Sequence, residues 1–324
     1  MQQRKFGRTD LQVSALALGA RSFGWLIPPD QARTLLDAYR ASGGNFIQTA
    51  AFAQPGAPLG AGLGRSEEIV GDWLKSTKPP RDSLVLSTRI RLDRPPGALG
   101  AWQADAVLRL VESSLRRLQV NHLDLLVCEW SPAAGPLDDF FRAAESLMRV
   151  GRLRYVGAAG FPIWRFTEAV VRAGLRGGPR FELLQSDYSL LERAPFEPEG
   201  VDLARELRVA LLAQSPLADG FLTGRYHRLP PGTDTARVRR LCARYDNRRG
   251  RAVLAAVEGV ATETGGTPAQ VALAWVLAQP GVTAPLLGIN DLAQWREAHG
   301  ATQLLLTPEQ TTRLAQSAAS ADQP

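Results

Sequence analysis

Short apolar runs alternate along this chain with longer amphipathic ones. The apolar runs cover residues 14–20, 45–50, 84–90, 123–130, 153–161, 181–188, 209–214 and 283–289. Most are near-continuous rather than alternating, the pattern of strands covered on both faces. Residues 104–118 and 137–150 carry apolar side chains at helical spacing. Helix starts are marked too. Ser66 precedes Glu67 and Glu68, which suits an N-cap with acids in the first turn. Thr267-Pro268-Ala269-Gln270 and Thr307-Pro308-Glu309-Gln310 each set a cap residue, a proline and a glutamine in capping-box order. Eight strands separated by helices predict an α/β chain whose parallel sheet closes into a (β/α)8 TIM barrel. Ahead of the first strand, residues 4–6 and 11–13 flank Gly7-Arg8-Thr9-Asp10. They predict an N-terminal β-hairpin that plugs the barrel's bottom. Residues 1–324 read as a single domain, with loops at 53–64 and 229–237 after the second and seventh barrel strands. A site on this architecture belongs at the C-terminal ends of the strands.

Composition narrows the partners. With 45% hydrophobic positions in 324 residues, a full core can be buried. No run approaches the ~20 apolar residues that span a bilayer. Residues 1–9 are polar and lack the apolar stretch of a signal peptide. Cys128 and Cys242 lie far apart with no metal-like spacing, so a reduced, cytoplasmic protein is expected. The net charge is +6, and the densest basic stretch holds Arg237, Arg239, Arg240, Arg244, Arg248, Arg249 and Arg251. No aromatics at base-stacking spacing accompany it, so it reads as a solvated helix and nucleic acid is not expected. His122, His227 and His299 share no spacing with carboxylates or cysteines, so no metal site is expected.

The segments at the strand ends resemble the aldo-keto reductases over nearly the whole chain. Arg4-Lys5-Phe6-Gly7-Arg8-Thr9 is similar to that family's opening hairpin, and Gly64-Arg65-Ser66-Glu67-Glu68-Ile69-Val70-Gly71 to its second helix. Gly151-Arg152-Leu153-Arg154-Tyr155-Val156-Gly157 is similar to its fifth strand. Gln185-Ser186-Asp187-Tyr188 and Ser215-Pro216-Leu217-Ala218-Asp219-Gly220 resemble its sixth and seventh strand-loop units. The resemblance implies an NADPH-dependent carbonyl reductase with an Asp, a Tyr, a Lys and a His at four strand ends. At the matching positions this chain has Gln48, Ala53 (or Phe52 if the loop slips by one), Arg89 and Glu129. Alanine and phenylalanine donate no proton, arginine stays protonated, and glutamate brings a carboxylate where the family has imidazole. The resemblance places the cofactor against Gln185, Ser215, Leu217, Gly220 and Gln294. It also implies an aromatic against the nicotinamide where this chain has Gln214, and a Ser-Asn where it has Ala159-Gly160. Asp291, in the loop after the eighth strand, would repel a phosphate unless a base such as Arg296 compensates.

Gln48, Arg89 and Glu129 are therefore the candidate catalytic residues. An Arg89–Glu129 ion pair either satisfies the barrel floor alone or sets a general acid or base beside an anion-binding arginine. Phe23, Trp25, Phe52, Trp130, Phe161 and Trp164 fall in mouth loops and, with Gln214, suggest an apolar pocket for an aromatic, natural-product-like ligand. The favoured expectation is redox-neutral acid/base chemistry, such as dehydration, isomerisation or cyclisation, with no cofactor required. The alternatives are an NADP(H)-dependent oxidoreductase of carbonyls or activated double bonds, and a non-catalytic ligand-binding barrel.

Overall fold

The computed structural model describes residues 1–52, 63–91, 104–131, 137–194, 196–197, 199–228 and 235–318. Ala53 and most of the two loops at 53–64 and 229–237 lie outside the described residues. The chain opens with an antiparallel hairpin, β1 (Gln3–Lys5) and β2 (Gln12–Ser14), in which Gln3 faces Ser14. Eight parallel strands follow: β3 (Ala17–Gly19), β4 (Phe46–Ala50), β5 (Val85–Arg91), β6 (Leu123–Glu129), β7 (Leu153–Ala159), β8 (Phe181–Asp187), β9 (Ala210–Gln214) and β10 (Val282–Leu287). They close on themselves, β10 pairing with both β9 and β3. Each lies in one of the eight apolar runs, overrunning it by at most a residue, and the predicted (β/α)8 barrel is the observed fold.

The helices are α1 (Pro29–Ala41), α2 (Arg65–Thr77), α3 (Ala104–Leu118), α4 (Leu137–Arg149), α5 (Ile163–Arg176), α6 (Glu199–Glu206), α7 (Ala236–Tyr245), α8 (Arg248–Thr264), α9 (Pro268–Ala278), α10 (Leu292–Gly300) and α11 (Pro308–Gln316). Thr267 and Thr307 close the two predicted capping boxes with Gln270 and Gln310. Ser66 does not cap α2. The cap is Gly64 in a left-handed conformation, and the Ser66 hydroxyl instead bonds the backbone of Ala50 at the end of β4. The predicted loop after the seventh barrel strand is shorter than expected, because α7 begins at Ala236 with Thr235 as its cap.

Two apolar layers result from strand alternation. One faces out under the helices. The other fills the barrel and includes Phe46, Val85, Leu125, Val127, Leu183 and Leu212. The hairpin adds Phe6, Leu11 and Val13 to this inner layer, Phe6 meeting Phe46 edge-on at 5.7 Å. The hairpin therefore closes the bottom, and the inner positions nearer the C-terminal end are left to polar side chains.

Candidate active site

Residue parity builds the site. Phe46, Val85, Val127, Leu183 and Leu212 face the barrel interior, so Gln48, Arg89, Glu129, Gln185 and Gln214, two or four residues on, point the same way. They meet in one network. The Gln48 amide donates to Gln185 Oε1 at 3.0 Å, and Gln185 donates to Gln214 Oε1 at 2.8 Å. Arg89 donates to the same Gln214 oxygen at 2.9 Å and to Glu129 Oε2 at 2.7 Å. Arg91 takes the other Glu129 oxygen at 2.8 Å. Gln214 donates onward to Asp187 at 3.0 Å. Gln48, Arg89 and Gln185 are buried, and among the described residues the Arg89 Nε has no hydrogen-bond partner.

Electrostatics decide what these groups can do. Burial raises the Glu129 carboxyl, but Arg89, Arg91 and Arg21 outweigh it and hold it below the usual carboxylate range. Glu129 is thus ionised at neutral pH and is a poor proton donor. Burial depresses Arg89 to about 10, partly offset by Glu129 and deepened by Arg21. It stays charged at neutral pH. Burial pushes Asp187 up, against the opposing Gln214 amide. Cys128 has the opposite parity and packs in the outer layer, where burial drives its thiol pKa up. It is inert rather than nucleophilic.

A cavity of about 640 Å³ opens at the mouth over this network. Gln48, Arg89 and Gln214 line its inner end. Ser215, Leu217 and Gly220 border one arm, and Asn290 and Gln294 another. The loop after β9 is left-handed at Ser215, Ala218, Asp219 and Gly220. Such strain in non-glycine residues persists where surrounding structure enforces it and is common at ligand sites. Gln294 is tied to the start of α10, accepting from Asn290 while Asp291 caps the helix. Gln185 lies beneath the cavity, both ends of its amide engaged by its glutamine neighbours.

The expected aromatic lining is not what the structure shows. Of the six aromatics, Trp25 alone lines the cavity. Phe23 is buried, Phe161 packs on Trp130 and Phe181, and Trp164 is exposed on α5 beside Arg165. Phe52 lies under Arg91 at 4.5 Å. Arginines take the aromatics' place. Arg21, Arg225, Arg240 and Arg244 line the cavity. Within the densest basic stretch, Arg240 and Arg244 on α7 are solvent-exposed yet border the cavity, whereas Arg296 is exposed and does not line it. Arg21 directly follows the first apolar run, 14–20, but a single arginine in a loop ordinarily reads as solvated. Among the described residues no group of three or more His, Cys, Asp and Glu could hold a metal, and no helix is long and apolar enough to cross a membrane.

Comparison with known proteins adds what geometry does not. The aldo/keto reductase family profile matches residues 15–319. "Uncharacterized oxidoreductase YrpG" of Bacillus subtilis is 32% identical over 314 residues, 95% of this chain and 93% of that protein. A "Probable voltage-gated potassium channel subunit beta" of Arabidopsis thaliana is 30% identical over 95% of this chain and 94% of its own length. "Protein tas" of Escherichia coli is 30% identical over 91% of each chain. These matches overturn two expectations, redox-neutral acid/base chemistry and freedom from a cofactor. A reductase family covering almost the whole barrel, with a relative named an oxidoreductase, favours the NADP(H)-dependent alternative instead. With the barrel, the mouth cavity and the sequence matches in accord, this chain belongs to the aldo/keto reductase family.

Proposed function

We propose that this protein is an NADP(H)-dependent oxidoreductase acting on a small organic molecule at the barrel mouth. The observation that carries the reading is the two-part cavity. Its inner end is buried and holds Arg89 and Gln214; its outer part has a strained loop and basic side chains. That arrangement suits a dinucleotide laid from the barrel axis outward, and the volume falls in the range of about 300–1,000 Å³ usual for cofactor sites.

The residues fit such a cofactor. Ser215, Leu217 and Gly220 border the cavity on a loop with left-handed backbone, the conformation that anion-binding turns use. Arg225 and Arg240 supply positive charge there, and Asn290 and Gln294 border the far arm. When bound, the nicotinamide supplies or accepts hydride. Arg89, already engaged by Glu129 and Gln214, would stabilise the negative charge that hydride arrival places on a substrate oxygen, and water from the open mouth would supply the proton that completes the alcohol. Glu129 and Gln214 hold the Arg89 guanidinium in place from two sides. Gln48 and Gln185 act through that pair, orienting the Gln214 carbonyl toward Arg89.

Calorimetric titration with NADPH and NADP+ tests the reading. Binding at micromolar Kd, about −8 kcal/mol, is expected, with NADPH consumption once a carbonyl substrate is added. No binding of either nucleotide up to millimolar concentration overturns it.

A further inference from the structure

Arg21 is a cation in the cavity with no hydrogen-bond acceptor among the described residues. It follows β3 by two residues and lines the cavity's inner end. Burial pushes its guanidinium below the ordinary value, Glu129, Asp219 and Asp187 oppose that, and Arg91 adds to it. All four charges act from a distance. Among the described residues Arg21 makes no hydrogen bond and no ion pair within 4.0 Å. Two of the three nearby carboxylates are engaged, and the third, Asp219, takes only a 3.5 Å contact from Ser215. Both Glu129 oxygens are held by Arg89 and Arg91, and Asp187 accepts from Gln214. Asp219 is exposed, beside Ser215. Three guanidinium groups thus surround the one carboxylate of Glu129.

A guanidinium offers five N–H donors in a planar fork that matches the two oxygens of a carboxylate. Partly desolvated and unpaired, it costs free energy until an acceptor arrives. We propose that Arg21 receives a carboxylate of the substrate, so the enzyme acts on small oxo or formyl acids whose reducible oxygen faces Arg89. This inference rests on the oxidoreductase reading for its reducible group, but the anion-binding role of Arg21 can be read without turnover. A phosphate of the dinucleotide is the other source of oxygens, and Arg225 and Arg240 already serve the outer arm for it.

The test compares 4-formylbenzoate with 4-formylbenzamide, which share a shape and differ in charge. Each is titrated calorimetrically into the protein, with and without saturating NADP+, for wild type, Arg21→Gln and Arg21→Lys. The acid is expected to bind at least about tenfold more tightly than the amide. Arg21→Gln should remove about tenfold or more of that affinity, the scale of losing a partner from a buried charged hydrogen bond. Arg21→Lys should recover part of it. NADP+ affinity should be unchanged and thermal stability should not fall, because among the described residues Arg21 makes no hydrogen bond or ion pair to lose. Equal binding of acid and amide, or an Arg21→Gln protein that binds the acid as wild type does, overturns the proposal. So does a loss confined to NADP+, which would assign Arg21 to the cofactor's phosphate. If wild type fails to bind NADP+ yet discriminates acid from amide through Arg21, the cofactor reading falls and the carboxylate site stands.

Discussion

Glu129 holds a negative charge inside a protein wall because two arginines face it, one on each oxygen. Removing that charge leaves Arg89 buried and uncompensated. Glu129→Gln is expected to cost about 3–5 kcal/mol at pH 7, the usual penalty for breaking a buried pair from one side. Urea unfolding measures it; an unchanged midpoint would show that the pair adds no stability. The sign with pH follows from the depressed carboxyl. Its stabilisation is fully present above the unfolded value of about 4.3 and is lost as pH falls through the lower folded value. The gap between wild type and Glu129→Gln should therefore narrow below about pH 4. At this scale Gln48, Arg89, Glu129, Gln185 and Gln214 were legible, because a period of two and a known barrel end fix which way each points. Arg21 and Arg240 were not. A loop or surface-helix arginine has the same sequence signature whether it meets water or a cavity.

Helix α2 shows how an element is seated. Glu67, fully buried in its first turn, accepts from Thr88 on β5 at 2.6 Å and from Arg117 on α3 at 2.7 Å. One turn later Gly71 lets the two helices touch. A Cβ there would lie 2.2 Å from the Arg117 carbonyl oxygen and 2.9 Å from Leu118 backbone. Gly71→Ala must push α2 from α3, at a cost of about 1–3 kcal/mol for overpacking. A fall in the urea midpoint with little change in cofactor affinity is the expected result. Helix starts were legible where the signal was local. Thr267 and Thr307 bond groups three residues away, so their sequence carries the whole motif. Ser66 was misread because its partner, Ala50, lies 16 residues earlier on a strand. Its local neighbours say nothing of that contact.

Across the whole molecule the two barrel ends divide stability from function. The bottom is sealed by Phe6 against Phe46, far from the mouth network. Phe6→Ala is expected to cost about 3–5 kcal/mol, as for other buried aromatics. The Kd for NADPH should stay within about twofold, because the phenyl ring is at the end opposite to the ligand loops. A large loss of affinity without unfolding would show that the ends are coupled. The sequence by itself determined the barrel, its hairpin plug and the inward polar set. Apolar runs, alternation and local caps are short-range patterns, and burial enforces them wherever the chain goes. It also held the family resemblance, spread over segments in fixed order. Only the tertiary structure decided the character of the pocket. It turned Phe23 and Phe161 into packing, left Trp164 in solvent, and brought Arg21 and Arg240 from distant segments to one cavity. It also set arginines on both Glu129 oxygens, which hold its carboxyl below the usual range, because a carboxyl's charge depends on neighbours from other segments of the chain.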